Sequence, residues 1–218
     1  MIAPVVHKGR RDEDKTPPGK NVYQFRLALQ CITPEIWRRI QVPETYSFWG
    51  FHVAIQDAMG WMDSHLHMFT IKNPKTGKEV RIELPVEPDF ENPDMALVDW
   101  DEDIADYFTT TNITAKYEYD FGDGWMHDIE FEGVFPRIPK QRYPKCIAGE
   151  RACPPEDCGS YPGYAELVEA MKNPKHPNHK EMVDWLSHKY DPEAFKPEHV
   201  YFDSPRERRE MLEQLGSI

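Results

Sequence analysis

The sequence predicts an α+β fold: a mixed, mostly antiparallel sheet with a helix on one face and a helical C-terminal third. Three observations carry this. Apolar residues alternate at Tyr23, Phe25, Leu27, Leu29 and Cys31, which is strand spacing. Residues 116–132, KYEYDFGDGWMHDIEFE, are two alternating runs around a Gly-Asp-Gly turn, a hairpin signature. After residue 160 the apolar positions recur at helical spacing between prolines. With 218 residues the chain is long enough for one sizeable core, and one domain over 21–218 is expected behind a polar, disordered arm at 1–20.

The elements follow in order. The Tyr23 strand ends at the Thr33-Pro34 break, and IWRRIQV forms a second strand. Ser47 caps a helix whose buried side carries Phe48, Phe51, Ile55 and Met59, with Gly60 as the stop. His52 on this helix is a packed or surface histidine. HLHMFTI, residues 65–71, is a strand that turns back through Asn73–Gly77 into another. Residues 86–106 hold nine acids and no Lys or Arg, reading as a surface loop that ends in a short acidic helix, DEDIADYF. Neither the ligand spacing nor the glycine of a calcium loop is present there.

In the hairpin, a two-residue turn at Asp123-Gly124 would place Tyr117 and Tyr119 opposite acids, so a three-residue loop, Gly122–Gly124, is expected. It pairs Phe121 with Trp125, Tyr119 with His127 and Tyr117 with Ile129. His127 then lies on the aromatic face, and Asp120 on the other with Glu118, Asp128 and Glu130. Gly124 takes the left-handed conformation. The C-terminal helices are YAELVEAM (Leu167, Val168, Met171 inward), HKEMVDWL (Met182, Val183, Leu186 inward) and a segment opened by the capping box Ser204-Pro205-Arg206-Glu207.

A net charge of −12 argues against broad phosphate-backbone binding, so DNA binding is expected to be weak or absent, carried by Lys8, Arg10 and Arg11 of the arm. The implied partner is another protein. No run approaches the about 20 apolar residues of a membrane span, and the first residues lack the apolar core of a signal peptide, which predicts a cytoplasmic protein. In that compartment four cysteines are thiols or metal ligands rather than a disulfide framework.

IWRRIQVPETYSFWGFHVAIQDAMGWMDSHLHMF, YEYDFGDGWMHDIEFE, CIAGERACPPEDCGSYPGYAELVEAM, NPKHPNHKEMVDWL and DPEAF, in this order, resemble the plasmid ORF-3-like family over residues 20–200. The resemblance implies an α+β fold and an association with plasmids and transposable elements, without an established activity. Some members carry a resolvase-like label. The residues do not support it here: none of the serines sits in an arginine-rich setting except Ser204, which the capping box explains. No glycine-rich phosphate loop is present, FGDG being a hairpin turn.

Three function classes remain. The first is an accessory or interaction module whose conspicuous residues are structural. The second is a structural zinc protein in which Cys146, Cys153 and Cys158 supply thiolates, making zinc the candidate cofactor. The third is a metal-dependent hydrolase or nuclease. There His65 and His67, two apart on a strand, share one face, and Asp120, Asp123, His127 and Asp128 of the hairpin complete the site. The segment 152–163, ACPPEDCGSYPG, is expected to be an ordered loop that packs on the sheet and orients the next helix, with Cys146 too distant to join its two thiols.

Overall fold

The computed structural model describes residues 19–85, 96–186 and 189–215. The arm, apart from its last two residues, and the first part of the acidic segment lie outside the described residues.

Among the described residues eight strands form one sheet in the order β5-β4-β3-β6-β7-β1-β2-β8. The strands are β1 (Asn21–Leu29), β2 (Trp37–Pro43), β3 (His67–Lys72), β4 (Glu79–Glu83), β5 (Leu97–Val98), β6 (Thr114–Tyr119), β7 (Trp125–Pro136) and β8 (Lys145–Glu150). Every pairing is antiparallel except the short β4–β5 contact. Helices α1 (Phe48–Met59), α2 (Ile104–Tyr107), α3 (Ser160–Lys172), α4 (His179–Leu186) and α5 (Pro205–Leu215) complete the α+β fold. Among the described residues no helix is long and apolar enough to cross a membrane.

One face of the sheet is the core. Phe25, Leu27 and Leu29 of β1, Phe69 and Ile71 of β3, Tyr117 and Tyr119 of β6, and Trp125, Ile129 and Phe131 of β7 all turn inward, as strand alternation requires. They pack on α1 through an aromatic cluster in which Phe25 lies 4.4 Å from Phe51 and Phe51 stacks on Phe69 at 5.7 Å. Ser47 Oγ caps α1 by accepting from Gly50 N, and Gly60 ends it in the left-handed conformation. The helix is buried on its far side too, where Trp49 and Val53 meet Leu212 of α5 and Trp49 Nε1 donates to Pro205 O at 2.8 Å. That double coverage is why α1 contains almost no exposed residue. Ser204 Oγ accepts from Glu207 N at 3.2 Å, so the expected cap of α5 is present.

The second strand carries a charged residue into this interior. Arg38 alternates with Ile36, Ile40 and Val42 and is 1% exposed. Its guanidinium donates to Ala58 O, Trp37 O and Glu150 O and stacks over Phe195 at 3.6 Å. A buried cation is tolerable when its donors are matched this way.

Two expectations about strands need correction. The first strand ends at Leu29, since Cys31 leaves the ladder with φ 59°. The hairpin pairs Tyr119 with Trp125, Tyr117 with His127 and Ala115 with Ile129, a slip of two residues from the expected register. A slip of two keeps every side chain on its own face, so the aromatic face is as expected while the loop grows to five residues, Asp120–Gly124. The cause is Asp120. It leaves the ladder at φ 57°, donates its N–H to Leu66 O, and accepts from Gly122 N and Asp123 N through Oδ1. Phe121 is thereby pushed to the surface, and Asp128 meets Lys116 instead of the like-charged Glu118. Gly124 is left-handed, at φ 69°.

The 152–163 segment packs against the core through Cys153, Cys158 and Tyr161, but only its first eight residues are loop: α3 begins at Ser160, four residues before the expected start at Tyr164. Ser160 Oγ donates to Asp123 O and Tyr161 OH to Gly124 O, tying the helix start to the hairpin turn. The loop closes tightly: a Cβ on Gly163 would stand 2.0 Å from Cys158 O. Gly163→Ala is expected to cost about 1–3 kcal/mol of unfolding free energy in urea; an unchanged midpoint would contradict this closure.

Candidate metal centre

The connection from α1 to β3, residues 60–66, has no regular structure, so its polar groups must be satisfied from elsewhere. Met62 N donates to Glu156 Oε1 at 2.8 Å, Ser64 N to Tyr119 OH at 3.0 Å, and Trp61 Nε1 to Pro154 O at 2.9 Å. Tyr119 OH in turn donates to Glu156 Oε1 at 2.9 Å. The segment is thus stitched to the hairpin and to the Cys-Pro-Pro-Glu-Asp-Cys loop, and His65 is delivered between them.

His65 Nε2 lies 3.1 Å from Asp157 Oδ1, 3.7 Å from Asp120 Oδ2 and 3.9 Å from Glu156 Oε2. One ligand atom each from His65, Asp120 and Asp157 falls within 4.8 Å of the others. Donors bound at about 2.0–2.4 Å to one ion have such spacings. Although close to Asp157, His65 Nε2 makes no hydrogen bond, and Glu156 Oε2 is equally buried and unpartnered. The three acids thus crowd one imidazole nitrogen without a hydrogen bond to it. Burial, with Asp157 beside it, raises the Glu156 carboxyl above its ordinary value. Asp120 and Glu156 keep side-chain exposures of only 9% and 11%, whereas Asp157 at 71% opens the cluster to solvent.

The other sequence candidates go elsewhere. His65 and His67 do not share a site: β3 begins at His67, and His65 belongs to the preceding connection. His67 is sealed in the core, stacked on His52 with ring centroids 3.5 Å apart, its Nε2 3.1 Å from Asp99. His52, fully buried, bonds Tyr117 OH through Nδ1 and Asp63 Oδ1 through Nε2, both at 2.8 Å. His127 faces the aromatic core as expected; its Nδ1 donates to Trp125 O at 3.1 Å. Asp123 lies in the turn with Oδ2 buried and unpartnered. Asp128 is on the solvent face, bridged to Lys116. Asp120 is not on that face but at the turn, against His65.

Cys146, Cys153 and Cys158 are not brought together as a three-donor group. Burial raises all three thiols, Cys158 to about 12, so without a metal they stay protonated. Glu156 and Asp157, which lie between two of these cysteines, were not among the sequence candidates. The signal was an acidic pair held by two prolines, overshadowed by the thiols around it.

Burial lowers the His127 imidazole to about 4. Because the folded value lies below the ordinary one, the unfolded chain binds the proton more readily. Stability from this residue is therefore complete above about pH 6.5 and falls as pH drops toward 4, by on the order of 3 kcal/mol. An NMR titration should find His127 neutral at pH 5.5, and a midpoint above 6 would contradict its placement.

The known proteins agree on the kind of chain this is. It is 35% identical over 176 residues to a protein of Sinorhizobium fredii described as uncharacterized protein y4hQ, covering 80% of this chain and 86% of that one. A crystal structure of a protein of unknown function, MM3350 from Methanosarcina mazei Go1, superimposes with a TM-score of 0.77 at 43% identity, over 84% of this chain and 98% of the other. The sequence profile of the plasmid pRiA4b ORF-3-like proteins matches residues 21–199, and the chain belongs to that family.

Proposed function

We propose that this protein is a divalent-cation-binding accessory module whose metal site is formed by His65, Asp120, Glu156 and Asp157. The observation that carries the reading is the pair of buried atoms without a hydrogen bond, His65 Nε2 and Glu156 Oε2, 3.9 Å apart and flanked by two further carboxylates. Leaving such atoms unpaired costs about 1–3 kcal/mol each, and more for a charged group, so a ligand that satisfies both is favoured. Three carboxylates beside one imidazole suit a hard or borderline ion such as Mn²⁺ better than the thiolate-bound zinc considered from the sequence. The exposed side at Asp157 leaves room for water or an anionic ligand to complete the coordination shell. Of the hydrolase reading, this site retains His65 and Asp120 and replaces His67, Asp123, His127 and Asp128 by the two acids of the proline loop.

Calorimetric titration with Mn²⁺ at pH 7 should give one site per chain. Asp120→Asn or Glu156→Gln should weaken binding at least tenfold, about 1.4 kcal/mol, whereas Cys153→Ser with Cys158→Ser should leave it unchanged. No binding, or binding lost only with the cysteines, would reject the reading. Where Mn²⁺ binds, saturating it should also raise the apparent melting temperature, since an ion bound only by the folded chain stabilises it.

A further inference from the structure

We propose that Asp63 is the positioning residue that aims His65 at the cation site, an inference that rests on the cation-binding reading above. Four observations support it. Asp63 has φ 59°, a left-handed backbone that residues other than glycine, asparagine and aspartate rarely adopt, and it lies two residues before His65. Its side chain is gripped at both oxygens: Oδ1 meets His52 Nε2 at 2.8 Å, and Oδ2 faces Arg208 Nη1 at 3.5 Å. The residue is 6% exposed, so this grip operates inside the protein. The neighbouring backbone is fixed on both sides, through Met62 N to Glu156, Ser64 N to Tyr119 and Leu66 O to Asp120 N.

Together these contacts leave the chain little freedom between Met62 and Leu66. Two of the three backbone anchors end on site residues, Glu156 and Asp120, and the third on Tyr119, which is itself bonded to Glu156. The reversal at Asp63 turns the chain so that the imidazole two residues later enters the gap between those carboxylates. If the side-chain grip is lost, the reversal is no longer tied to His52 and Arg208, and His65 leaves its place while the three carboxylates remain.

A purely structural alternative exists, because Arg208 also binds Asp57 and Asp203, each at 2.7 Å, and so docks α5. Asp57→Asn separates the two roles, since it loosens that docking while leaving Asp63 its shorter bond, to His52 Nε2. The measurement is Mn²⁺ affinity of the full chain together with electron spin echo detection of ¹⁴N coupling to the bound ion, which reports the imidazole directly. In the wild type one nitrogen couples, and His65→Ala abolishes the signal. Asp63→Asn is expected to weaken binding at least tenfold and to lose the coupling, while Asp57→Asn keeps both. If Asp63→Asn does not fold, Asp63→Gly, which accepts the left-handed backbone, is expected to show the same loss. Wild-type affinity and coupling in the folded Asp63 variant would overturn the proposal, as would equal loss in Asp57→Asn. A wild type that binds no Mn²⁺ would instead reject the cation reading on which the proposal stands.

Discussion

Backbone groups of a connection that carries no helix or strand must find hydrogen bonds in other parts of the chain. Residues 60–66 meet that requirement by borrowing partners from the β6–β7 hairpin and the proline loop, while the side chains of Asp63 reach α1 and α5. The dependence is mutual. Glu156 is oriented because Met62 N and Tyr119 OH both donate to it, and the five-residue turn exists because Asp120 N is drawn to Leu66 O. Prolines 154 and 155 stiffen the loop, and the close approach of Gly163 to Cys158 fixes where α3 starts. One irregular segment therefore sets the positions of three others, and the four donors of the proposed site lie where these segments meet.

Two polar clusters lie near each other and behave differently. The His52–His67 stack, with Tyr117, Asp63 and Asp99, is sealed against the aromatic core and largely bonded within itself, although His67 Nδ1 and Asp99 Oδ1 make no hydrogen bond. Such a network specifies the packing of α1 on the sheet. The His65 cluster is half open and carries three carboxylates around one imidazole. Burial, with a smaller contribution from Asp157, raises the Glu156 carboxyl above its ordinary value. An arrangement whose charges are unmatched internally and whose open side faces water is suited to an external cation.

Much of the fold was legible because it rests on local rules. Alternation identified β1, β2 and the faces of β6 and β7; Ser47 and Gly60 bounded α1; and Ser204 capped α5. The register of the hairpin was legible only modulo two, since burial of Tyr117 and Tyr119 fixes the face but not the length of the loop. What moved it was a long-range bond, Asp120 N to Leu66 O, which no local pattern announces. The site was half legible for the same reason. His65 and Asp120 stood out as histidine on an apolar run and acid in a turn. Glu156 and Asp157 join them through the path of a loop far along the chain, with Glu156 lying 37 residues beyond Tyr119, and His67 parted from His65 because β3 starts one residue after Leu66. The arginine in the core at Arg38 was likewise hidden, since alternation placed it inward without naming the carbonyls that receive it.

The central claim is that one divalent cation binds among His65, Asp120, Glu156 and Asp157. Anomalous diffraction from crystals soaked in Mn²⁺ tests it most directly. The account predicts one strong peak about 2.0–2.4 Å from His65 Nε2 and from oxygens of at least two of these carboxylates. A peak at Cys153 and Cys158, or a gap among these four residues that stays empty while Mn²⁺ binds elsewhere on the surface, would contradict it.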